Sequence, residues 1–237
     1  MIILGFESTA KIASVAIMED ERVLASYSID NGLTQSELLL PMAESMLAHL
    51  HLTFSDVGLL AAAVGPGSFT GVRIGVSIIK GLAFGKNIPC VAVSAIEELC
   101  ENLREMSGII VPVMDARRSQ VYNAIFSSNG GEIKRLTDDR AISLSELACE
   151  LSKFECENIY LVGDGYDVAK SYLEANGVKI CNTPPGLVLE NAVSVCKIAK
   201  RKYDTGDVLS DVEISPTYLR LPQAEREILL KEKGEKV

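Results

Sequence analysis

Apolar and polar positions along the chain change period several times, and each change marks an element. Residues 2–7 (IILGFE), 14–18 (SVAIM) and 22–28 (RVLASYS) are short alternating or β-branched runs with brief polar breaks. That is the pattern of three successive antiparallel strands. Thr34-Gln35-Ser36-Glu37 has the capping-box form, and Leu38, Leu39, Met42, Ala43, Met46, Leu47 and Leu50 then recur at helical spacing. The spacing predicts a helix over 34–50, which Pro41 is expected to kink. The run VGLLAAAV at 57–64 has buried-strand length, and GPGSFTG opens a second helix to about Gly85. A strand at 89–93 and a helix from Ser94 to about Arg104 follow.

A similar order returns after Ser107. Residues 109–115 (IIVPVMD), 120–126 (QVYNAIF) and 131–136 (GEIKRL) read as strands, and Ser143-Leu144-Ser145-Glu146 opens another capped helix. Residues 159–163 read as a strand, Tyr166 to Asn176 as a helix, 178–180 as a short strand and Leu189 to Tyr203 as a long helix. The pattern therefore predicts two lobes, 1–104 and 105–221, with a charged tail at 222–237. A βββαβα order occurs twice.

That duplication is similar to the actin, sugar kinase and Hsp70 (ASKHA) superfamily and implies an α/β fold of two lobes. Fold alone does not establish function. In such folds the first hairpin of each half faces a nucleotide phosphate. The corresponding residues are Glu7, Ser8 and Thr9 in the first half, and Asp115, Ala116, Arg117, Arg118 and Ser119 in the second; Gly163-Asp164-Gly165 falls where an adenosine-contacting turn would lie. Glu7, Ser8, Thr9, Asp115, Arg117, Gly163 and Gly165 are thus candidate contacts for ATP or ADP, with ordinary polar turn chemistry as the alternative.

Composition narrows the function. The chain has 237 residues, 48% of them hydrophobic, with 23 Lys and Arg against 32 Asp and Glu, a net charge of -9. A strong nucleic-acid binder relying on its own phosphate contacts shows the opposite balance. The first residues, MIILGFEST, lack a basic segment, and Glu7 interrupts them well short of a membrane span, so a cytoplasmic protein with no membrane segment is expected. Six cysteines include no CxxC pair and read as reduced core thiols, while His49 and His51 are the sole histidines. No metal set is apparent at zinc-ligand spacing.

The most specific stretch is Gly65-Pro66-Gly67-Ser68-Phe69-Thr70-Gly71-Val72-Arg73-Ile74-Gly75. It lacks the Lys-Ser/Thr that closes a Walker motif. Gly71, Gly75, Ile78, Leu82 and Gly85 share one helical stripe, and an interior glycine costs about 1 kcal/mol relative to alanine. Close approach of another helix is the expected compensation. Ser77-Ile78-Ile79-Lys80 matches the SxxK pattern of some serine acyl enzymes, without the elements that accompany it there. No base stands near Ser68 in sequence, so a peptidase is a distant alternative.

The segments ILGFEST, GPGSFTGVRIGVSIIKGLAFG, VMDARRSQVYNAIF and PTYLRLPQAE, in that order, resemble the TsaB family over residues 1–225. The resemblance implies a non-catalytic dimerisation subunit that pairs with its paralogue TsaD. TsaD transfers the threonylcarbamoyl group to adenosine 37 of tRNAs reading ANN codons; the ATPase TsaE joins the complex, and tRNA is contacted only through it. In TsaD the first long helix supplies a histidine pair for a metal. Here Gln35 stands where many relatives show a histidine, and none appears until His49. The resemblance therefore implies no intrinsic metal or cofactor and no transfer by this chain alone. A Met and Leu stripe at helical spacing by itself reads as core; the resemblance instead points to Leu38, Met42, Met46, Gly71, Gly75, Ile78 and Leu82 as the partner surface, for TsaD or for a homodimer when TsaD is absent. The alternative is an ASKHA-type nucleotide-binding phosphotransferase.

Overall fold

A computed structural model of the chain describes residues 1–117, 119–154 and 157–220. Strands β1 (Ile2–Glu7), β2 (Ala13–Glu19) and β3 (Arg22–Ile29) form an antiparallel meander, with Ile2 opposite Glu19 and Glu7 opposite Ser14. Helix α1 (Gln35–His49) follows, and the Thr34 amide donates to the Glu37 carboxylate at 3.1 Å as the capping pattern requires. Pro41 lies exposed within α1, and the helix continues through it to His49. Strand β4 (Val57–Ala63) runs parallel to β1, helix α2 (Phe69–Ala83) returns, and β5 (Cys90–Val93) runs parallel to β4. The sheet order is β3-β2-β1-β4-β5.

Helix α3 (Ala95–Glu101) leads into β6 (Ser107–Asp115). The second meander is fragmented. Strands β7 (Gln120–Asn123) and β8 (Phe126–Asn129) both pair antiparallel with β6 in one continuous register, Asp115 opposite Val121 and Ser107 opposite Asn129. They are one meander strand interrupted at Ala124 and Ile125. The third strand is likewise split, into β9 (Ile133–Arg135) on β8 and β10 (Arg140–Ser143) on β7. Helix α4 (Leu144–Leu151), strand β11 (Ile159–Val162) parallel to β6, and helices α5 (Tyr166–Ala175) and α6 (Ala192–Asp204) complete the order. The counterpart of β5 is reduced to a single bridge between Tyr160 and Cys181. Hence the duplicated βββαβα, ASKHA-type α/β fold is present, with the second copy eroded at its edges.

Three local readings are corrected. The strand expected at 178–180 is only that bridge. The last helix begins at Ala192 rather than near Leu189, because the Asn191 side chain accepts the Ser194 amide and caps it there. Strand β10 was hidden, since Arg140–Ser143 carries too few residues for its alternation to register. The expected charged tail at 222–237, with Arg118 and Cys156, lies outside the described residues.

Burial explains why β1 and β4 read as nearly continuous apolar runs. Leu4, Phe6, Leu60 and Ala62 face α1 and α2, while Ile3, Leu59, Ala61 and Ala63 face α6. Both faces of the sheet are covered, as parallel pairing in α/β proteins requires. The second sheet is covered by α4 and α5 on one face and by α3 on the other. Each half thus lends a helix to the other. Ile96 and Leu99 of α3, with Leu103 just after it, pack with Ile110 and Phe126, whereas Val195, Ile198 and Ala199 of α6 pack with Ile3 and Met18. A division at 104/105 separates the two sheets but not the two packed layers, because these crossing helices belong to the opposite half.

Candidate functional site

Two regions hold the residues singled out by sequence. The first is the outer surface of α1 and α2. Met42 and Met46 are 5% and 1% exposed and belong to the core beneath α1. Gly71 and Gly75 do admit a close backbone approach, but the approaching chain is the protein's own β1–β2 turn. A Cβ on Gly71 would overlap the Ser8 carbonyl oxygen, and one on Gly75 would stand 2.7 Å from Ser8 Oγ. Ser8 Oγ in turn donates to the Gly71 carbonyl at 2.8 Å. These four positions are therefore corrected from partner surface to interior. Periodicity shows that a stripe is covered without showing by what.

Leu38, Ile78 and Leu82 remain partly exposed on the same surface, and Ile74, one turn before Ile78, joins them. Pro41 on α1 and Phe84 just after α2, the latter 78% exposed, flank this strip. At the start of α2 the Phe69 and Tyr218 rings stack with centroids 4.1 Å apart, and Arg73 Nε donates to Tyr218 Oη at 2.8 Å. The Thr217 amide donates to the Val64 carbonyl at 2.7 Å, and Arg220 donates to the Ala116 carbonyl at 3.1 Å. Residues 217–220 thereby strap the first half to the second. Sequence reasoning saw PTYLRL only as a family signature. Gln35 ties α1 to the β1–β2 turn, its Nε2 donating to the Ala10 carbonyl at 3.0 Å.

The second region is the junction between the lobes, where the phosphate-facing turns were expected. Glu7, Ser8 and Thr9 are buried, and Glu7 Oε1 accepts both the Thr9 amide, at 2.5 Å, and the Thr9 hydroxyl, at 2.6 Å. The Thr9 carbonyl accepts the Ser68 amide at 2.6 Å, and Gly67 lies directly against it. An internal carboxylate thus occupies the turn that a phosphate would need. In the second half, the Asp115 amide donates to Asp164 Oδ1 at 2.9 Å and the Arg117 amide to Asp115 Oδ1 at 2.7 Å. Gly163 and Gly165 pack on the Val113 carbonyl, and Gly163 donates its amide to Val188. Their lack of a side chain serves this internal contact.

Carboxylates surround the junction. Glu98 on α3 is fully buried, and Glu190 before α6 is 2% exposed. Burial, the charge of Glu7 and hydrogen bonding to it push the Glu98 carboxyl well above the usual range. Burial pushes Glu190 up to about 8, reinforced by the charges of Asp164 and Glu7. Glu7 itself is raised by burial, with hydrogen bonds from Glu98 and Thr9 partly opposing the shift. Partial desolvation and the neighbouring Asp115 charge also raise Asp164. A polyphosphate meets negative charge and pre-empted amides here, so these residues do not fit the ATP or ADP that the fold class implies.

Among the described residues no group of three His, Cys, Asp or Glu side chains is placed to hold a metal, and no helix is long and apolar enough to cross a membrane. His49 Nδ1 lies 2.7 Å from the Ser45 carbonyl at an exposed helix end, and His51 is exposed beyond it. Cys90, Cys100 and Cys196 are buried thiols, whereas Cys149 is exposed and Cys181 half-buried.

Known proteins resemble this arrangement over nearly the whole chain. The sequence model of the family described as "TsaD: tRNA N6-adenosine threonylcarbamoyltransferase" matches residues 34–215. The tRNA threonylcarbamoyladenosine biosynthesis protein TsaB of Bacillus subtilis is 31% identical over 174 residues, 73% of this chain and 76% of the relative. Its namesake in Haemophilus influenzae is 30% identical over 229 residues, 93% and 94% of the two chains. YeaZ from Pseudomonas aeruginosa superposes with a TM-score of 0.75 at 24% identity, covering 92% of this chain and 99% of that structure, which shows the shared fold. With sequence matched over nearly its full length and the duplicated fold in common, the chain belongs to the TsaB family.

Proposed function

We propose that this protein takes part in tRNA threonylcarbamoyladenosine synthesis as a non-catalytic subunit, binding and activating TsaD for modification of adenosine 37 in tRNAs reading ANN codons. The observation that carries the reading is the partly buried apolar strip of Leu38, Ile74, Ile78 and Leu82 on paired helices. Such side chains gain most by burial against another protein. The lobe junction supports it from the other side, since its turns are closed by the protein's own groups. A subunit without an active site contributes by binding preferentially to the competent state of the catalytic one.

The same strip serves a second copy of the chain when TsaD is absent, and tRNA and the TsaE ATPase are met in the complex. The phosphotransferase and peptidase alternatives find no supporting constellation at the junction or near Ser68. Transfer to tRNA is assayed with threonylcarbamoyl adenylate, omitting each protein in turn. Loss of activity without this chain, together with co-elution with TsaD, is expected. Full activity of TsaD alone, or transfer by this chain alone, overturns the reading.

A further inference from the structure

We propose that Glu7, Glu98 and Glu190 form a proton-held latch at the lobe junction, closed while the cluster carries protons and loosened when all three ionise. The three residues come from three elements that must stay together. Glu7 ends β1 of the first sheet, Glu98 lies on the helix covering the second sheet, and Glu190 precedes the helix that returns to the first. Glu98 Oε1 accepts the Asn191 amide at 2.6 Å, and the next amide, Ala192, donates to Ser14 Oγ of β2 at 3.0 Å. Glu98, on the layer that covers the second sheet, and Ser14 of the first sheet thus hold two successive amides at the entry to α6.

Four buried oxygens carry the argument. Glu7 Oε2, Glu98 Oε2 and both oxygens of Glu190 find no hydrogen-bond partner. An ionised carboxylate left in this state is costly, and three together repel. Among the described residues none of the three forms an ion pair, and no group there is placed to hold a metal. Among the described groups, protons are the species that can neutralise these oxygens. The further charged group facing the cluster is Asp164 on the β11–α5 turn, which Asp115 at the end of β6 and the cation Lys11 flank in turn. With the carboxyls ionised these oxygens have no donor, and a proton placed on Glu98 supplies one to the adjacent Glu7. A second proton neutralises Glu190.

The pH dependence follows from the sign of the shifts. Carboxyls in the unfolded chain titrate near the ordinary value of about 4.3. All three are raised in the folded state, Glu190 to about 8. Between those values the folded protein holds more protons than the unfolded one, so stability falls as pH rises through the window. Opening of the junction increases up to about tenfold per pH unit for each proton released.

The test has two arms. Urea unfolding and amide exchange at Asn191 and Ala192 are followed from pH 5 to pH 9 in the wild-type protein, in E98Q, in E190Q and in the double variant. The midpoint of the wild type is expected to fall with pH, and exchange at these amides to accelerate beyond the chemical rate. The double variant is expected to lose most of that slope. An equal slope in wild type and double variant, or a flat wild type, overturns the latch. The side-chain carboxyl resonance of Glu190 in the wild-type protein decides the matter without any variant: titration between pH 7 and 9 supports it, and titration near pH 4 to 5 overturns it.

Discussion

Replacement of single glycines in α2 separates a glycine required by packing from one that is not. Gly71→Ala adds one methyl group that overlaps the Ser8 carbonyl. The β1–β2 turn must move, which disturbs the Ser8 Oγ bond to the Gly71 carbonyl and the Ser68 amide bond to Thr9. Overpacking of this kind costs about 1–3 kcal/mol. A buried group left unsatisfied adds about 1–3 kcal/mol. The gain in helix propensity offsets about 1 kcal/mol. The net expectation is a loss of about 3 kcal/mol, equivalent to a melting temperature lower by roughly 6–12 °C at this chain length. Gly81, in the same helix, is exposed, and a Cβ there meets nothing within 4 Å. Gly81→Ala is expected to stabilise the protein by about 0.5–1 kcal/mol. Urea denaturation of both variants beside the wild type, read by circular dichroism, supplies the comparison. Equal shifts in the two variants, or a stabilised Gly71→Ala, would refute the placement of the β1–β2 turn against α2.

Other outcomes follow from the same contacts. Gly75→Leu, whose first side-chain atom already crowds Ser8 Oγ, is expected to abolish the cooperative melt rather than release a folded monomer. Ile78→Asp, at a partly buried position packed on the core, is expected to cost about 1–3 kcal/mol yet keep a cooperative melt, read by circular dichroism, while weakening association with TsaD at least about tenfold, read by titration calorimetry, as removal of an interface anchor does. Glu101, 3% exposed, holds Arg104 at 3.0 Å and Arg201 of α6 at 2.6 Å, so Glu101→Gln should cost about 2 kcal/mol by chemical denaturation. Chelation with EDTA is expected to leave the thermal transition unmoved, checked by calorimetry before and after dialysis.

Much of the fold was legible because the elements here are specified locally. The capping boxes at Thr34 and Ser143, the Ser68 cap of α2 and the alternating first meander each depend on residues a few positions apart. The repeat of the element order identified the fold class from the same local signals. Strand β10 and the break between β7 and β8 escaped because short segments carry too little periodicity. The bridge at Cys181 likewise depends on a partner more than a dozen residues away.

The candidate surface shows where local information ends. Sequence by itself determined that Met42, Met46, Gly71 and Gly75 lie on covered helix faces, since apolar spacing and interior glycine both demand a neighbour. Only the tertiary structure decided that the neighbour is the protein's own sheet and its β1–β2 turn, leaving Leu38, Ile74, Ile78 and Leu82 at the surface. Glu98 and Glu190 gave no signal at all, because a glutamate on a short helix or in a loop reads as solvated until folding withdraws the water around it. Their meeting with Glu7 is a product of the two crossing helices, which bring together residues more than ninety positions apart. Hydrophobic period is a property of neighbouring residues, whereas the identity of the covering surface and the dielectric around a charge are properties of the assembled fold.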